Sequence, residues 1–353
     1  MDTHFWKIEM GQANTEIYQQ AAEFLKKGET VAFPTETVYG LGADATSEQA
    51  VQKIYQAKGR PADNPLIVHI AKKEQMHDFV TEIPQQAAQL IDAFWPGPLT
   101  IILPVRSGAL ARNVTAGLQT VGVRMPSHPV SLALLEAAYL PIAAPSANRS
   151  GRPSPTSAAH VAEDLTGQIA GIVDGGETGV GLESTVIDCT TEVPTILRPG
   201  GVSIEQIEQV IGQVHSAKRV LDSAEAPKAP GMKYTHYAPN APVFIVEGSV
   251  EFWHETIRKQ QEAGEKVGLL VSEGLADKLM DMDNLEIWLT TSREKSLDQV
   301  AQQLYKGLRA FDHTDCSVIL AESYERTEIG EAIMNRLEKA AGSKYLREAT
   351  EGR

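Results

Sequence analysis

The chain has 353 residues, of which 42% are hydrophobic and 22% are charged. This composition is typical of a globular protein and excludes a disordered chain, and the length suggests about two domains. The formal net charge of −14 argues against a protein that binds nucleic acid mainly through its phosphates.

The cysteine content and the distribution of apolar residues predict a cytoplasmic protein. Cys189 and Cys316 are too few for a disulfide scaffold or a cysteine-rich zinc site, and they fit a reducing compartment. The N-terminus lacks the basic and apolar regions of a signal peptide. No apolar stretch approaches the roughly 20 residues that cross a bilayer, so we expect no membrane partner.

From about residue 14 to residue 212, short runs rich in Val, Ile and Thr alternate with helix-like stretches. The runs predict strands over 30–34, 66–70, 99–103, 121–125, 141–144, 171–174, 184–188 and 195–198. The stretches predict helices over 16–27, 47–57, 84–94, 128–138 and 156–165. This order of elements predicts an α/β or α+β domain around a large twisted sheet.

Residues 213–242 have the composition of a linker, because several prolines punctuate a short charged segment. Within it, the stretch MKYTHYAP at 232–239 carries two tyrosines, a histidine and a lysine. Such a cluster could dock on a ligand. Composition alone favours the simpler interpretation, which is packing against the adjoining domain.

From residue 243 onward the chain alternates strongly between strand and helix. The predicted strands cover 243–246, 267–271, 285–289 and 317–320, and the predicted helices cover 250–263, 275–280, 297–311 and 328–341. This alternation predicts a small parallel-sheet domain. It lacks the glycine fingerprints of dinucleotide and P-loop sites, which favours a structural, regulatory or lid role.

Two stretches in the N-terminal region combine strand ends with polar side chains. FPTETVYGLG at 33–42 follows a buried strand with hydroxyl groups and then glycines that permit close approach of a ligand, although a hairpin or a strand-to-helix turn fits equally well. In KGRPADNPLIVHI at 58–70, prolines stiffen a loop that carries Lys58 and Arg60, which suits a polyphosphate. His69 lies in an apolar strand and is either a core histidine or a ligand contact.

Cations and hydroxyl groups recur at strand ends. Arg124 and Arg198 each close an apolar strand, and a buried arginine needs an anionic partner, either an internal carboxylate or a substrate carboxylate. Thr120 adds a hydroxyl group, and Ser146 and Asn148 would face one side in an extended segment. This pattern is typical of an open α/β ligand site.

Other chemistries lack their sequence signals. Ser154 also resembles a helix N-cap, which is its simpler interpretation. The chain has no H-E-x-x-H, no G-x-S-x-G and no paired-cysteine metal spacing. The pattern therefore favours binding and positioning of an anionic substrate over covalent catalysis.

Taken together, the motifs make the chain resemble the threonylcarbamoyl-AMP synthase family in its two-domain, YrdC-type form. The stretches that carry the resemblance are FPTETVYGLG (33–42), KGRPADNPLIVHI (58–70), FWPGPLT (94–100), VRMPSHP (123–129), APSANRSGRPSPT (144–156), ESTVID (183–188), LRPG (197–200) and KYTHYAP (233–239). They occur in family order over most of residues 20–240.

The resemblance implies a fold and a reaction. The fold would be a YrdC-like, twisted open-sheet catalytic domain at 1–212, a linker that acts as a lid at 213–242, and a smaller Rossmann-like parallel α/β domain at 243–353. The enzyme would be a nucleotidyltransferase that converts L-threonine, bicarbonate and ATP into L-threonylcarbamoyl-AMP, pyrophosphate and water. ATP would be a substrate accompanied by Mg²⁺, with no metal site in the protein.

The resemblance also implies partners and residue roles. The product would pass to a separate tRNA-modifying complex, so strong direct tRNA binding is not expected. Lys58 and Arg60 would be catalytic. The expected ATP ligands are Lys58, Arg60, Asn64, Thr120, Ser146, Asn148, Ser154, Arg198 and Tyr237. The expected L-threonine ligands are Thr37, His69, Arg124, Ala144 and Ser184. For Tyr237, an ATP contact replaces the packing interpretation that composition favours, and this change rests on the resemblance alone.

Two alternatives stay open at this point. One is another YrdC-like activity that forms a carbamoyl-adenylate, although its usual zinc-finger segments need more cysteines than the chain has. The other is a non-enzymatic RNA-binding module, against which the acidic net charge argues.

Overall fold

The computed structural model describes residues 2–9, 14–216, 237–293 and 296–349. The chain divides into two compact units, Met1–Ser150 with Ser154–Lys233 and Gly151–Pro153 with Tyr234–Arg353. Most of the predicted linker, including the first part of the 233–239 motif, lies outside the described residues. The boundaries at 212 and 242 therefore stay a prediction.

The first unit is built on one mixed sheet. Its strands are β1 (His4–Lys7), β2 (Val31–Phe33), β3 (Gly40–Asp44), β4 (Ile67–His69), β5 (Leu99–Pro104), β6 (Thr120–Arg124), β7 (Ile142–Ala143), β8 (Gly171–Asp174), β9 (Thr185–Asp188), β10 (Thr195–Arg198) and β11 (His215–Ser216). They are hydrogen-bonded in the order β1-β8-β2-β3-β7-β4-β6-β5-β9-β10-β11. The α/β prediction for this region is confirmed, and the 33–42 stretch forms an antiparallel hairpin between β2 and β3.

Serines cap three of the seven helices named here for the first unit. These seven helices are α1 (Thr15–Lys26), α2 (Glu48–Lys58), α3 (Gln85–Phe94), α4 (Arg112–Thr115), α5 (Pro129–Ala138), α6 (Ala158–Leu165) and α7 (Ile204–Ile211). Ser47, Ser157 and Ser203 each accept a hydrogen bond from a backbone N–H in the first turn. The N-cap of α6 is Ser157, so the interpretation of Ser154 as the helix cap is wrong.

The two faces of the sheet have different coverings. One face packs against α2, α3, α6 and α7 around the largest buried core. On the other face, α1 and α5 cover the part near β2, β7 and β8. Above β4, β5, β6 and β9 this second face carries only a small apolar cluster of Ile67, Ile102 and Val186.

Strand register brings predicted site residues to that second face. Ile67 pairs with Gly122, and His69 pairs with Arg124 on the neighbouring strand. Arg198 pairs with Val186 across a bulge. Because paired residues share a face and side chains alternate along a strand, Thr120, Arg124, His69 and Arg198 lie on the same face as the small apolar cluster. We call this surface the site face.

The second unit is a separate parallel α/β sheet. Its elements are β12 (Val243–Glu247), α8 (Val250–Glu262), β13 (Val267–Val271), α9 (Glu273–Ala276), β14 (Leu285–Leu289), α10 (Leu297–Ala310), β15 (Val318–Glu322), α11 (Gly330–Ala341) and β16 (Tyr345–Arg347). The strand order is β14-β13-β15-β12-β16, and every pairing is parallel. The prediction of a smaller Rossmann-like domain is confirmed.

Tyr237 is buried within this second unit. Its ring centroid lies 5.2 Å from that of Tyr305, and the Arg336 guanidinium lies 5.9 Å from the Tyr237 ring. Across the ranges that the structure describes, no helix is long and apolar enough to cross a membrane.

Gly200, which follows β10, packs closely against the backbone at the start of β9. A Cβ on Gly200 would lie 2.3 Å from the backbone carbon of Ser184 and 2.3 Å from the backbone nitrogen of Thr185. Because backbone atoms cannot move aside cheaply, we expect Gly200→Ala to lower the free energy of unfolding by about 2–3 kcal/mol in chemical denaturation.

Gly179→Ala is the matched control, since the nearest atom to its new Cβ would be the Glu36 carbonyl oxygen at 3.9 Å. We expect that change to stay within about 0.5 kcal/mol. Equal stabilities for the two variants would contradict the packing described here.

Candidate functional site

A buried guanidinium forms the centre of the candidate site. Arg124, at the end of β6, is 4% exposed. Its Nη1 donates to Thr37 Oγ1 at 2.9 Å, and its Nε donates to the Gly97 carbonyl at 3.4 Å. Its Nη2 lies 2.8 Å from Glu36 Oε1. Of the two anionic partners considered for Arg124, the structure provides the internal carboxylate.

Thr37 is held in place by its own turn. The hydroxyl groups of Thr35 and Thr37 lie 2.8 Å apart, and Thr35 Oγ1 donates to the Val38 carbonyl at 2.7 Å. The Glu36 carbonyl accepts from the Val180 N–H at 2.7 Å, and the Thr37 carbonyl accepts from the Gly181 N–H at 3.2 Å. These bonds fasten the turn between β2 and β3 to the glycine-rich loop after β8.

His69 lies beside Arg124 as a neutral side chain. Burial, followed by the positive charge of Arg124, lowers the pKa of His69 to about 3. Its Nδ1 lies 3.3 Å from the Ile67 carbonyl oxygen, which can only accept a hydrogen bond. The neutral ring therefore carries its proton on Nδ1 and leaves Nε2 as an acceptor.

Ser184 and Arg198 meet on the site face. Arg198 Nε and Nη2 donate to the Ser184 carbonyl at 3.2 and 2.9 Å, and Nη2 also reaches Ser184 Oγ at 3.2 Å. Ser184 Oγ lies 2.8 Å from Thr100 Oγ1. The two predicted residues thus form one hydrogen-bonded group.

The sequence suggests that Lys58 binds a polyphosphate, and in the structure its ammonium group binds backbone carbonyl groups. Its Nζ donates to the carbonyl oxygens of Ser146 and Asn148, both at 2.5 Å, and the side chain is buried. Ser146 Oγ donates to Asn148 Oδ1 at 2.5 Å. Lys58, Ser146 and Asn148 are therefore brought together, with the ammonium group holding the backbone of the 146–148 segment.

Arg60 and Asn64 share one rigid loop. Arg60 Nη2 donates to the carbonyl oxygens of Asn64 and Pro65 at 3.4 and 3.2 Å. The Asn64 side chain is buried. These contacts fix where the guanidinium of Arg60 points.

Ser154 contacts an acidic side chain that the sequence analysis did not single out. Its Oγ donates to Glu183 Oε1 at 2.5 Å, and both residues are buried in the first unit. Glu183 directly precedes Ser184, so this contact links Ser154 to the start of β9.

The remaining predicted residues have separate positions. Ala144 is buried, and its N–H donates to the Ile67 carbonyl at 2.9 Å on the edge of the site face. Thr120 lines a shallow pocket with Thr100, Gly122 and Val186. Tyr237 lies in the second unit, and its ATP contact stays a prediction. Within the described ranges, no group of three or more acidic, histidine or cysteine residues could hold a metal ion.

Glu36 and Glu183 are the site residues that sequence reasoning missed. Both lie inside motifs that carry the family resemblance, FPTETVYGLG and ESTVID. The available signal was a carboxylate within an otherwise buried stretch, because such a group needs a specific partner. Neither partner is close in sequence, since Arg124 and Ser154 come from other elements.

The arrangement offers two sets of cationic side chains that suit anionic groups. Arg124, Thr37 and the neutral His69 supply donors and an acceptor suited to a small zwitterion. Lys58, Arg60 and Arg198 supply positive charge around backbone-lined loops, which suits a phosphate ester. The pKa of His69 lies far below neutrality, so its imidazole is a weak base for activating a nucleophile.

Both units of the chain are similar to known families and solved structures. Residues 23–200 match the family model described as "Telomere recombination", and residues 202–342 match the model described as "Threonylcarbamoyl-AMP synthase, C-terminal domain". The crystal structure of Pyrococcus abyssi Sua5 complexed with L-threonine is similar with a TM-score of 0.90 and 47% identity, covering 99% of this chain and 100% of that one.

Two relatives extend the match across the sequence. A Bacillus subtilis protein named threonylcarbamoyl-AMP synthase is 52% identical over 98% of this chain and 100% of its own length. One of the same name from Pyrococcus abyssi is 50% identical over 93% of this chain and 94% of its own. With both units matched, the chain belongs to the threonylcarbamoyl-AMP synthase family.

Proposed function

We propose that this protein is a nucleotidyltransferase that makes L-threonylcarbamoyl-AMP from L-threonine, bicarbonate and ATP, with release of pyrophosphate. The observation that carries the proposal is the buried Arg124 on the site face, held by Thr37 and Glu36 beside a neutral His69. A relative with nearly the same fold is known with L-threonine bound.

In this proposal, one half of the site binds L-threonine. The substrate carboxylate is neutralised by Arg124, which already lies close to an internal carboxylate and is therefore oriented for an anion. Nε2 of His69 accepts from the threonine hydroxyl. Thr37, Ser184 and the backbone of Ala144 complete the pocket.

The other half binds ATP as a substrate. Arg60, Asn64, Ser146, Ser154 and Arg198 contact the nucleotide, with Thr120 at the edge of the site face. Lys58 contributes its positive charge while its protons hold the 146–148 carbonyls. Mg²⁺ enters as the counter-ion that the triphosphate carries.

The mechanism is one of positioning. Threonine and bicarbonate form a carbamate, whose oxygen attacks the α-phosphate of ATP, and pyrophosphate leaves. The fixed cations stabilise charge that develops on the phosphates without having to reorganise. The product serves tRNA threonylcarbamoyladenosine formation, in which a separate complex acts on the tRNA.

The direct test is pyrophosphate release from ATP, with L-threonine and bicarbonate each present or omitted. We expect release that requires both, and a lower rate with L-serine. Release that is indifferent to threonine would overturn the substrate assignment.

Arg124→Lys tests the threonine half. Lysine keeps the charge but loses the fork of donors that reaches Thr37 and Gly97. We expect the KM for threonine to rise about 10- to 100-fold, with the KM for ATP changed by less than about 3-fold. Arg106→Lys, at an exposed arginine that donates to the His77 carbonyl, is the control. An unchanged KM for threonine would remove Arg124 from the site.

Arg60→Ala tests the ATP half. Loss of the guanidinium leaves the loop without its positive charge, so we expect the KM for ATP to rise about 10-fold or more while threonine binding is preserved. Arg112→Ala, at an exposed position of the same unit, is the matched control. Turnover unchanged at both limiting and saturating ATP would show that Arg60 has no role in the reaction.

A further inference from the structure

The Glu36 side chain is partly buried in the site, and its two carboxylate oxygens are shielded from solvent and poorly satisfied. The side chain is 13% exposed. Among the described residues, neither carboxylate oxygen has a hydrogen-bond partner. A buried carboxylate without hydrogen bonds is costly, so its presence needs an explanation.

Arg124 satisfies Glu36 only in part. Nη2 of Arg124 lies 2.8 Å from Oε1 of Glu36, yet within the described residues Nη2 also has no hydrogen-bond partner. The contact is therefore a close approach of opposite charges in which the N–H does not point along a hydrogen bond. Donors and acceptors on both partners remain available to a third group.

The position of Glu36 is rigid. Thr35 and Thr37 on either side are hydrogen-bonded to each other, and the Glu36 carbonyl accepts from the Val180 N–H. Among the described residues, Arg124 and His128 interact electrostatically with the carboxylate. Arg124 comes from β6, and His128 comes from the start of α5, where burial lowers the pKa of His128 and the charge of Glu36 partly opposes that shift.

An α-amino acid matches this ion pair in charge. Its ammonium and carboxylate groups sit on a single carbon atom, so they reach two adjacent sites of opposite charge at once. A zwitterion that binds against the pair presents its carboxylate to the unfilled Nη2 position of Arg124 and its ammonium to the unfilled oxygen positions of Glu36. Each charge then meets an opposite one, and the vacant hydrogen-bond positions of Glu36 are filled.

We propose that Glu36 binds the α-ammonium of the amino-acid substrate and accepts one of its protons, which frees the amine for carboxylation. This inference rests on the proposed function. It makes Glu36 a catalytic residue, because the carboxylate contacts the reacting nitrogen.

The proton transfer balances. Glu36 takes one proton from the ammonium, which leaves a neutral amine with a lone pair. The lone pair forms a C–N bond to the carbon of bicarbonate, and the C–O bond to its hydroxyl breaks. A second nitrogen proton leaves with that hydroxyl as water. The product is a carbamate, and Glu36 then returns its proton to solvent.

The other candidate bases near Arg124 are less suited to the role. The pKa of His69 is lowered to about 3, so its imidazole is a weak base at neutral pH. Nδ1 of His128 accepts from the Val130 N–H at 3.2 Å, as part of the cap of α5. Both oxygens of the Glu36 carboxylate, by contrast, lack a hydrogen-bond partner among the described residues.

The test uses Glu36→Gln in the full chain, with wild type and Glu192→Gln as references. Glu192 is an exposed carboxylate of the same unit, between β9 and β10. We expect E36Q to lower kcat/KM for threonine by about 100-fold or more, with the KM for ATP unchanged. E192Q should behave as wild type.

A binding arm separates chemistry from structure. It compares L-threonine with (2S,3R)-2,3-dihydroxybutanoate, which has a hydroxyl group in place of the ammonium. Wild type should prefer threonine by about 10-fold or more, and E36Q should lose this preference while binding the hydroxy analogue as well as wild type does. Equal losses for both ligands would mean that Glu36 only supports the fold, and would overturn the proposal.

A pH arm tests the proton transfer itself. Between about pH 7 and pH 9 the unprotonated fraction of a free amine rises about tenfold per unit until its pKa is reached. Turnover of E36Q should therefore climb with pH more steeply than that of wild type. Parallel profiles, or wild-type kcat/KM in E36Q, would overturn the role of Glu36. A wild type that does not need threonine would instead overturn the proposed function.

Discussion

A buried positive charge at the end of a sheet strand is the constraint on which the site depends. Arg124 is taken out of water, so its guanidinium must be matched by acceptors that come from other parts of the chain. The turn after β2 supplies Glu36 and Thr37, and the loop before β5 supplies the Gly97 carbonyl. Satisfying this one charge brings together the segments that form the proposed threonine half of the site.

A second buried cation organises the proposed nucleotide half in a different way. Lys58 ends α2 and directs its ammonium group into the carbonyls of the 146–148 segment. Its positive charge is thus fixed inside the protein rather than carried on a mobile side chain. Fixed charges of this kind are suited to a reaction in which negative charge moves between phosphate oxygens, because the protein does not reorganise during the step.

The sequence predicted the strands that are apolar and β-branched, and the register of those strands then accounts for why His69, Arg124 and Arg198 share one face. It did not predict β3, because GLGAD has low strand propensity and resembles a turn. The structure explains one of these glycines, since a Cβ on Gly42 would lie 2.7 Å from the Phe33 ring and 2.8 Å from Ile142 Cγ2.

Glu36 and Glu183 were missed because their partners are distant in sequence. The sequence around Ser154 resembles a helix cap, because local pattern does not reveal that the acceptor of its hydroxyl is Glu183.

The central claim is that a zwitterionic amino acid occupies the Arg124–Glu36 ion pair while ATP occupies the loops around Lys58 and Arg60. The measurement that tests it most directly is a crystal structure of the full chain with L-threonine and a non-hydrolysable ATP analogue. The account predicts the threonine carboxylate within hydrogen-bond distance of Arg124, its nitrogen within hydrogen-bond distance of Glu36, and the phosphates beside Arg60. Threonine bound with Arg124 and Glu36 still paired only to each other would contradict the account.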